Sequence, residues 1–440
     1  MTVHTETSKS ADIFERAKRV LPGGVSRNTV LRAPHPAYAA FGAGCRITDI
    51  DGVTRIDFAN NMASLIHGHA CPEIVEAVTR QLERGTAFMM ATEAEVEYAE
   101  HLCSRSPSFE KLRFVNSGTE ALMVCLKAAR AFTGRPKIAK VEGAYHGGYD
   151  YAEVSQESNP ATWGSVDRPN SVALAHGTPA SALQDVVIIP FNDPERAVAI
   201  LDAHAKDLAC VLIDLMPHRA GLHPADADFV RALRDWTTRN GALLVLDEVI
   251  TFRTEYGGMQ QRYGVQPDLT ALGKIIGGGF PIGAAAGRGE VLEVMNPGGA
   301  QYRFPHSGTF SANPIGMVAG LAAMQKFDAP AVARLNALAD RAMAGITAAA
   351  RETGATASVS GAGSMFRIHM KASPPRNFRE AYPTPDETRR LKAMLDHLFD
   401  AGLIVINTCA MTLSTPMTEA EIDTLVGAVR AGFEKIAPMP

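Results

Sequence analysis

A mainly parallel α/β sheet flanked by helices, followed by a smaller α+β domain, is the fold class this sequence predicts. Two patterns carry that reading. From Lys111 to about Arg288, short apolar runs alternate with helical stretches, as repeated strand–helix units require. After Pro314 the chain becomes small and apolar, then alternates alanine-rich helix with strand. Its 440 residues are enough for one large domain and one smaller one.

The elements follow in order. Ala11 to Leu21 reads as a helix closed by Pro22-Gly23-Gly24. Cys45 to Phe58 holds two alternating runs around Asp51-Gly52, which predicts a hairpin. Pro72 to Arg84 and Glu93 to Ser104 carry helical periodicity. Strands are expected at Leu112–Val115, Ile138–Val141, Val186–Ile189, Cys210–Leu215, Ala242–Leu246, Thr270–Leu272 and Ala284–Gly287. Helices are expected between them at Glu120–Phe132, Pro194–Ala205 and Asp226–Asn240. Ala331 to Glu352 is a long alanine-rich helix, and Ser358 to Lys435 alternates strand and helix. The expected division is residues 1–60 as an N-terminal segment packed with the small domain, 61–314 as the large cofactor-binding domain, and 315–440 as the small α+β domain.

Composition narrows the function. Hydrophobic residues are 46% and charged residues 20%, ordinary for a soluble enzyme, and the formal net charge of -4 argues against nucleic acid or an anionic membrane as partner. No apolar run reaches the length of a membrane span, and Met1 to Ser10 is polar without a signal core, so a cytoplasmic protein is expected. Six cysteines, Cys45, Cys71, Cys103, Cys125, Cys210 and Cys409, have no paired spacing. They fit reduced thiols better than a disulfide frame or a zinc site.

The chemistry lies in two strand ends. Gly241 to Val249 reads Gly-Ala-Leu-Leu-Val-Leu-Asp-Glu-Val, a buried strand that delivers Asp247 at its carboxyl end. Leu269 to Gly279 delivers Lys274 beside a glycine-rich turn. A lysine and an acid so placed suit pyridoxal phosphate: the lysine forms the Schiff base, and the carboxylate keeps the ring nitrogen protonated. A Walker loop does not fit, because the lysine precedes the glycines and no Ser or Thr follows it. The glycine spacing also excludes a dinucleotide fingerprint. Leu272, Ile275 and Ile276 flank Lys274 with apolar side chains, and partial desolvation lowers the pKa of an amine. Asn116-Ser117-Gly118-Thr119-Glu120 opens a helix after a strand. Taken alone, its hydroxyls suit a phosphate cradle or an ordinary helix cap equally. Tyr145, after the strand Ile138–Val141, suits ring stacking or a half-buried core position.

Taken together these motifs resemble, over nearly the whole chain, the class III aminotransferases of fold type I. Within them the chain is most similar to the group containing glutamate-1-semialdehyde aminomutase and the β-amino-acid aminotransferases. The resemblance implies that pyridoxal 5′-phosphate is bound by Ser117, Gly118 and Thr119 at its phosphate, by Tyr145 and Val249 on its two faces, by Asp247 at its ring nitrogen and by Lys274 covalently. His146 would join this set or brace the loop. In His306-Ser307-Gly308-Thr309, the threonine would reach the phosphate of a neighbouring subunit, which implies a homodimer with composite sites. The expected reaction is a ping-pong transfer from a β-amino acid or related amine to a 2-oxo acid or aldehyde.

The substrate motifs depart from the family. Where the aminomutases read Pro-Gly-Gly-Val-Asn-Ser, this chain has Pro22-Gly23-Gly24-Val25-Ser26-Arg27, with an arginine where the β-amino-acid enzymes carry a carboxylate-binding one. The family's Glu-Pro becomes Asp214-Leu215, and His218 and Arg219 replace small residues. Some β-amino-acid enzymes carry a mobile C-terminal arginine, but Ile406 to Met411 has none, so binding carboxylates in two modes would require Arg219 to fill that role from another direction. The aminomutase is the alternative activity. A catalytically silent cofactor-binding regulator is less favoured, because the roughly hundred residues before the phosphate motif are not basic and resemble the enzyme's own N-terminal segment.

Overall fold

The computed structural model describes residues 8–438, so residues 1–7 of the polar N-terminal segment lie outside the described residues. The first strands are β1 (Ala39–Ala43), β2 (Arg46–Asp49) and β3 (Thr54–Asp57). The next seven are β4 (Lys111–Val115), β5 (Lys137–Val141), β6 (Val186–Ile189), β7 (Leu208–Ile213), β8 (Leu243–Asp247), β9 (Leu269–Gly273) and β10 (Gly283–Gly287). The last are β11 (Ser358–Ala362), β12 (Met365–His369), β13 (Leu403–Ile404) and β14 (Ala410–Thr412).

Strands β4 to β10 form one sheet in the order β4-β10-β9-β8-β7-β5-β6. Only β10 runs against its neighbours β9 and β4; the remaining pairs are parallel. Every residue of β6 to β10 is buried, because helices cover both faces. Each of the seven apolar runs read as a strand is one. The antiparallel course of β10 was not legible, since Gly283-Ala-Ala-Ala-Gly287 has no feature that sets direction. Its small residues have a packing reason: a Cβ on Gly283 would lie 2.1 Å from the Ser117 carbonyl oxygen. Strands β4 and β5 are consecutive in the chain, yet four strands separate them. That reversal opens a crevice at the carboxyl ends of the parallel strands, where ligands of open α/β sheets bind.

The remaining strands join distant parts of the chain. The hairpin β2–β3 turns at Gly52, φ 88°, where Asp49 Oδ1 accepts from the amides of Asp51 and Val53 at 3.1 and 2.9 Å. Strand β13 then pairs in parallel with β3, tying residues 403–404 to the N-terminal segment. The three-stranded sheet β11-β12-β14 lies beside the long helix Ala329–Thr353. That helix is closed at both ends by its sequence: Asp328 caps its first turn, and Gly354 adopts φ 67° after its last. Two expectations need correction. The first helix is Lys9–Ala17, capped by Ser8, and stops short of Leu21; the chain tightens into i→i−3 bonds before the Pro22–Gly24 turn. Strand β1 was missed because Ala-Ala-Phe-Gly-Ala has no apolar alternation; pairing with β2 alone defines it.

On β5 the chain buries a lysine completely. Lys140 Nζ donates to the carbonyls of Ala144 and Val154 at 3.0 and 2.8 Å, stapling the loop that follows the strand. No carboxylate lies within ion-pair distance of it among the described residues. Burial, then the nearby Arg219 charge, brings its amine down to about 7, against a weaker opposing pull from Glu153. A neutral amine has two N–H groups, matching the two carbonyls.

This gives a pH-dependent expectation. Between about pH 7 and the ordinary lysine value the unfolded chain binds the extra proton, so wild-type stability rises with pH through that window. Lys140→Met lacks this contribution and leaves two carbonyls without a donor. The unfolding free energy of wild type minus that of the variant should therefore grow from pH 7 toward pH 9.5, at up to roughly 1.4 kcal/mol per pH unit. A difference that stays flat across the range would mean the buried amine is charged throughout.

Candidate active site

The carboxyl ends of β7, β8 and β9 meet the crevice. Leu246 of β8 sits in register with Ile213 of β7, so Asp214 and Asp247 emerge as neighbours. Asp247 is buried; its Oδ1 accepts the Val249 amide at 3.0 Å and its Oδ2 faces His146 Nδ1 at 2.7 Å. Burial pulls His146 below its usual range, and the bond to Asp247 only partly offsets this. A neutral ring facing a carboxylate must donate through Nδ1, leaving Nε2 as a buried acceptor without a partner among the described residues. Asp214, also buried, is held well above the ordinary carboxylate range by burial and then by the Asp247 charge.

Lys274 stands directly after β9 with φ 50°, a left-handed conformation uncommon for any residue but glycine. Its Nζ donates to the Met62 carbonyl at 2.8 Å. Burial brings this amine down to about 8, opposed by the charges of Asp247 and Asp214 and reinforced by Arg253. Met62 belongs to four successive left-handed residues, Asn60 to Ala63, with φ of 45, 48, 59 and 70°. Such a turn costs roughly 1–2 kcal/mol per residue and needs external support. Asp57 Oδ1 accepts the amides of Ala59 and Asn60 at 2.9 and 2.8 Å, and Asn60 Nδ2 donates to the Thr412 carbonyl at 2.7 Å. Arg253, fully buried, donates to the carbonyls of Ala63 and Leu413 and to Ser364 Oγ.

Beside this pair lies a cradle. Ser117 caps the helix Gly118–Thr133, its Oγ accepting the Glu120 amide at 3.1 Å. The first turn of such a helix presents free amides and a positive dipole end to an anion. Gly118, Gly273 and Val249 crowd together: a Cβ on Gly118 would lie 2.9 Å from Val249 Cγ1, and one on Gly273 would lie 3.4 Å from Gly118 Cα. Thr119 Oγ1 accepts the Gly148 amide at 3.3 Å, drawing the loop of Tyr145 and His146 over the helix start. Tyr145, on that loop, is 56% exposed. Thr309 is exposed and makes no hydrogen bond among the described residues; a Cβ on the preceding Gly308 would lie 3.8 Å from Asn116 Nδ2 of the same chain.

The expected substrate residues occupy two places. Arg27 is exposed and its Nη1 donates to Asn61 Oδ1 at 2.5 Å. Neighbouring residues of one strained turn therefore hold Arg27 and Lys274. His218 and Arg219 lie in the short turn His218–Ala220 beyond β7. His218 Nε2 faces Thr408 Oγ1 at 2.8 Å, and its ring is pushed down to about 3 by burial, then by the charges of Arg367, Lys274 and Arg219. Arg219 pairs with Glu157 at 3.1 Å. Sequence reasoning missed Asp214 as a partner of Asp247, although it too ends an apolar strand. It missed Arg367, a lone charge within Met365-Phe366-Arg367-Ile368. It also missed the Met62 carbonyl, for which the Asn60-Asn61 pair, tolerant of left-handed φ, was the one signal.

These residues fit pyridoxal phosphate. The glycines let the helix start, the end of β9 and Val249 pack closely, the helix start suits a phosphate, a buried acid suits a pyridinium, and a lysine near neutrality suits a carbonyl. Comparison with known proteins agrees. The profile of the class-III aminotransferases matches residues 31–430. An omega-transaminase from Sphaerobacter thermophilus is 47% identical, covers 98% of both chains and superposes with a TM-score of 0.96. A β-phenylalanine aminotransferase from Variovorax paradoxus is 33% identical over 96% of this chain and 93% of its own, with a TM-score of 0.86. A glutamate-1-semialdehyde 2,1-aminomutase from Methanothermobacter thermautotrophicus is 40% identical over 85% of this chain and 86% of its own. The chain belongs to the class-III aminotransferases and is a pyridoxal-phosphate-dependent transaminase.

Proposed function

We propose that this transaminase takes the amino group of a β-amino acid or a related amine and delivers it to a 2-oxo acid, in two half-reactions that use one site in turn. The observation that carries the reading is the position of Arg27, held by the residue next to the one that holds Lys274. A guanidinium there can fork onto a donor carboxylate while the amine of the same molecule reaches the crevice. The β-phenylalanine aminotransferase among the similar structures supports this substrate class. The similarity to an aminomutase favours a second reading, in which donor and product are one carbon skeleton.

Bound pyridoxal phosphate supplies a carbonyl to receive the amino group and a ring to draw electrons from the adjacent carbon. The chain supplies the rest. The helix start at Ser117, Gly118 and Thr119 would hold the phosphate, and Val249 and Tyr145 would pack against the ring. Asp247, oriented by His146, would keep the ring nitrogen protonated. The Lys274 amine, near neutrality and anchored on the Met62 carbonyl, would take the proton from the substrate carbon that bears the amino group and later give it back, acting as base and then as acid. Among the described residues no helix is long and apolar enough to cross a membrane; we place the enzyme in the cytoplasm.

Three measurements follow. Borohydride reduction and peptide mapping should label Lys274 alone, and Lys274→Ala should keep the cofactor but lose turnover; a label on another lysine would reject the assignment. Thr309, assigned to the phosphate of a second copy, implies a homodimer. Light scattering should show a dimer or a higher even assembly, and Thr309→Ala should release cofactor more readily; a fully active monomer would refute the composite site. Arg27→Ala should lower kcat/KM for a β-amino acid roughly tenfold to a hundredfold, the worth of a charge-assisted hydrogen bond of about 1.5–3 kcal/mol. It should leave the decarboxylated analogue nearly unchanged. Equal losses on both would reduce Arg27 to a loop residue.

A further inference from the structure

Two substrates share this site, and their carboxylates cannot share one position. In a β-amino acid the carboxylate sits one carbon further from the reacting carbon than in a 2-oxo acid. A fixed guanidinium that suits the first misplaces the second, and misplacement on that scale is costly in rate. The reading in which the acceptor is an oxo acid therefore requires a second cation nearby.

The structure places two arginines where one is needed. Arg367 projects from β12, in register with Ala410 of β14. Its Nε donates to the Thr408 carbonyl at 3.1 Å and its Nη1 to the His218 carbonyl at 3.0 Å. His218 immediately precedes Arg219, and the His218 ring closes back on Thr408 Oγ1 at 2.8 Å. The two arginines are thus locked into one assembly through His218 and Thr408. That assembly borders the lysine's turn: Asn60, two residues before Met62, donates to the Thr412 carbonyl, and Thr412 pairs with Met365 on the strand of Arg367.

Its charge is incompletely matched. Among the described residues, no carboxylate lies within ion-pair distance of Arg367. Arg219 has Glu157 at 3.1 Å, but that carboxylate side chain is 54% exposed, and Arg219 Nε is buried without a partner. A partly exposed guanidinium with an unpartnered donor, beside a second one held only by carbonyls, attracts an anion that can reach them. We infer that Arg219 and Arg367 form the carboxylate subsite of the oxo-acid acceptor, with Glu157 occupying Arg219 until that carboxylate arrives. Exchanging one carboxylate for another leaves Arg219 paired in both states, while Glu157 swings into water. The inference rests on the transaminase reading above and adds the acceptor's anchor to it.

The test separates the half-reactions. Enzyme carrying the amine form of the cofactor is mixed with pyruvate or with acetaldehyde, the same carbonyl without its carboxylate, and the cofactor absorbance is followed. Arg219→Met and Arg367→Met should each slow the pyruvate reaction roughly tenfold to a hundredfold and leave acetaldehyde little changed. Arg367→Lys, which keeps a charge and donors for the loop, should fall between. Glu157→Gln should act in the opposite direction and tighten pyruvate. Calorimetric binding of propanoate in an Arg27→Ala background reads the subsite without turnover: Glu157→Gln should strengthen it and Arg219→Met should abolish it. Equal losses on pyruvate and acetaldehyde, or propanoate binding indifferent to Arg219 and Glu157, would overturn the subsite. Failure of every amine to convert the wild-type cofactor would instead remove the transaminase reading, and the propanoate experiment would still decide the subsite.

Discussion

The hydrogen bond from Lys274 to the Met62 carbonyl constrains more of this molecule than its single 2.8 Å contact suggests. The amine must be close to neutral to do proton transfer, which requires burial. A buried amine needs an acceptor, yet a carboxylate in direct contact would return it to full charge. A backbone carbonyl satisfies the donor with little charge of its own. Asp247 and Asp214 remain near enough to oppose the burial, and the balance settles at about 8. Much of the surrounding architecture serves to put one carbonyl in that place.

The cost of doing so is visible in the backbone. Four consecutive left-handed residues would not survive in an isolated peptide, and Lys274 itself is left-handed. The turn persists because Asp57, Asn60 and Arg253 hold it from three directions, reaching β14 and the segment just beyond it. The strained turn is therefore a product of chain segments far apart in sequence. It also explains why Arg27 and Lys274 are geometrically linked: Asn61 and Met62 are adjacent links of the same turn.

This origin decides what could be read from the sequence. Strands β4 to β10 were legible because burial on both faces leaves apolar runs with little else in them. The acid and the lysine were legible because each interrupts such a run at its carboxyl end. Ser117 to Thr119 and Tyr145 needed the family resemblance, since a helix cap and a core tyrosine look the same locally. Asp214, Met62 and Arg367 were out of reach for another reason: their partners lie across the strand register or more than a hundred residues away, and no local pattern encodes either. The direction of β10 and the existence of β1 were lost in the same way, because pairing alone defines them.

Three basic side chains held by carbonyls make a last connection between fold and chemistry. Lys140, Arg253 and Arg367 each lie near the site, and each donates to carbonyl oxygens: Ala144 and Val154, Ala63 and Leu413, His218 and Thr408. Burial lowers all three, to about 7, 9 and 10 in turn, so the two arginines stay charged at neutral pH. A carbonyl satisfies a donor without cancelling its charge. An ion pair in the same position would have cancelled it and left the crevice neutral. Using carbonyls leaves a positive field over a site whose cofactor carries a phosphate and whose proposed substrates carry carboxylates. The same choice that lets Lys274 stay near neutrality, a backbone oxygen in place of an acid, thus also leaves the arginines free to attract anions.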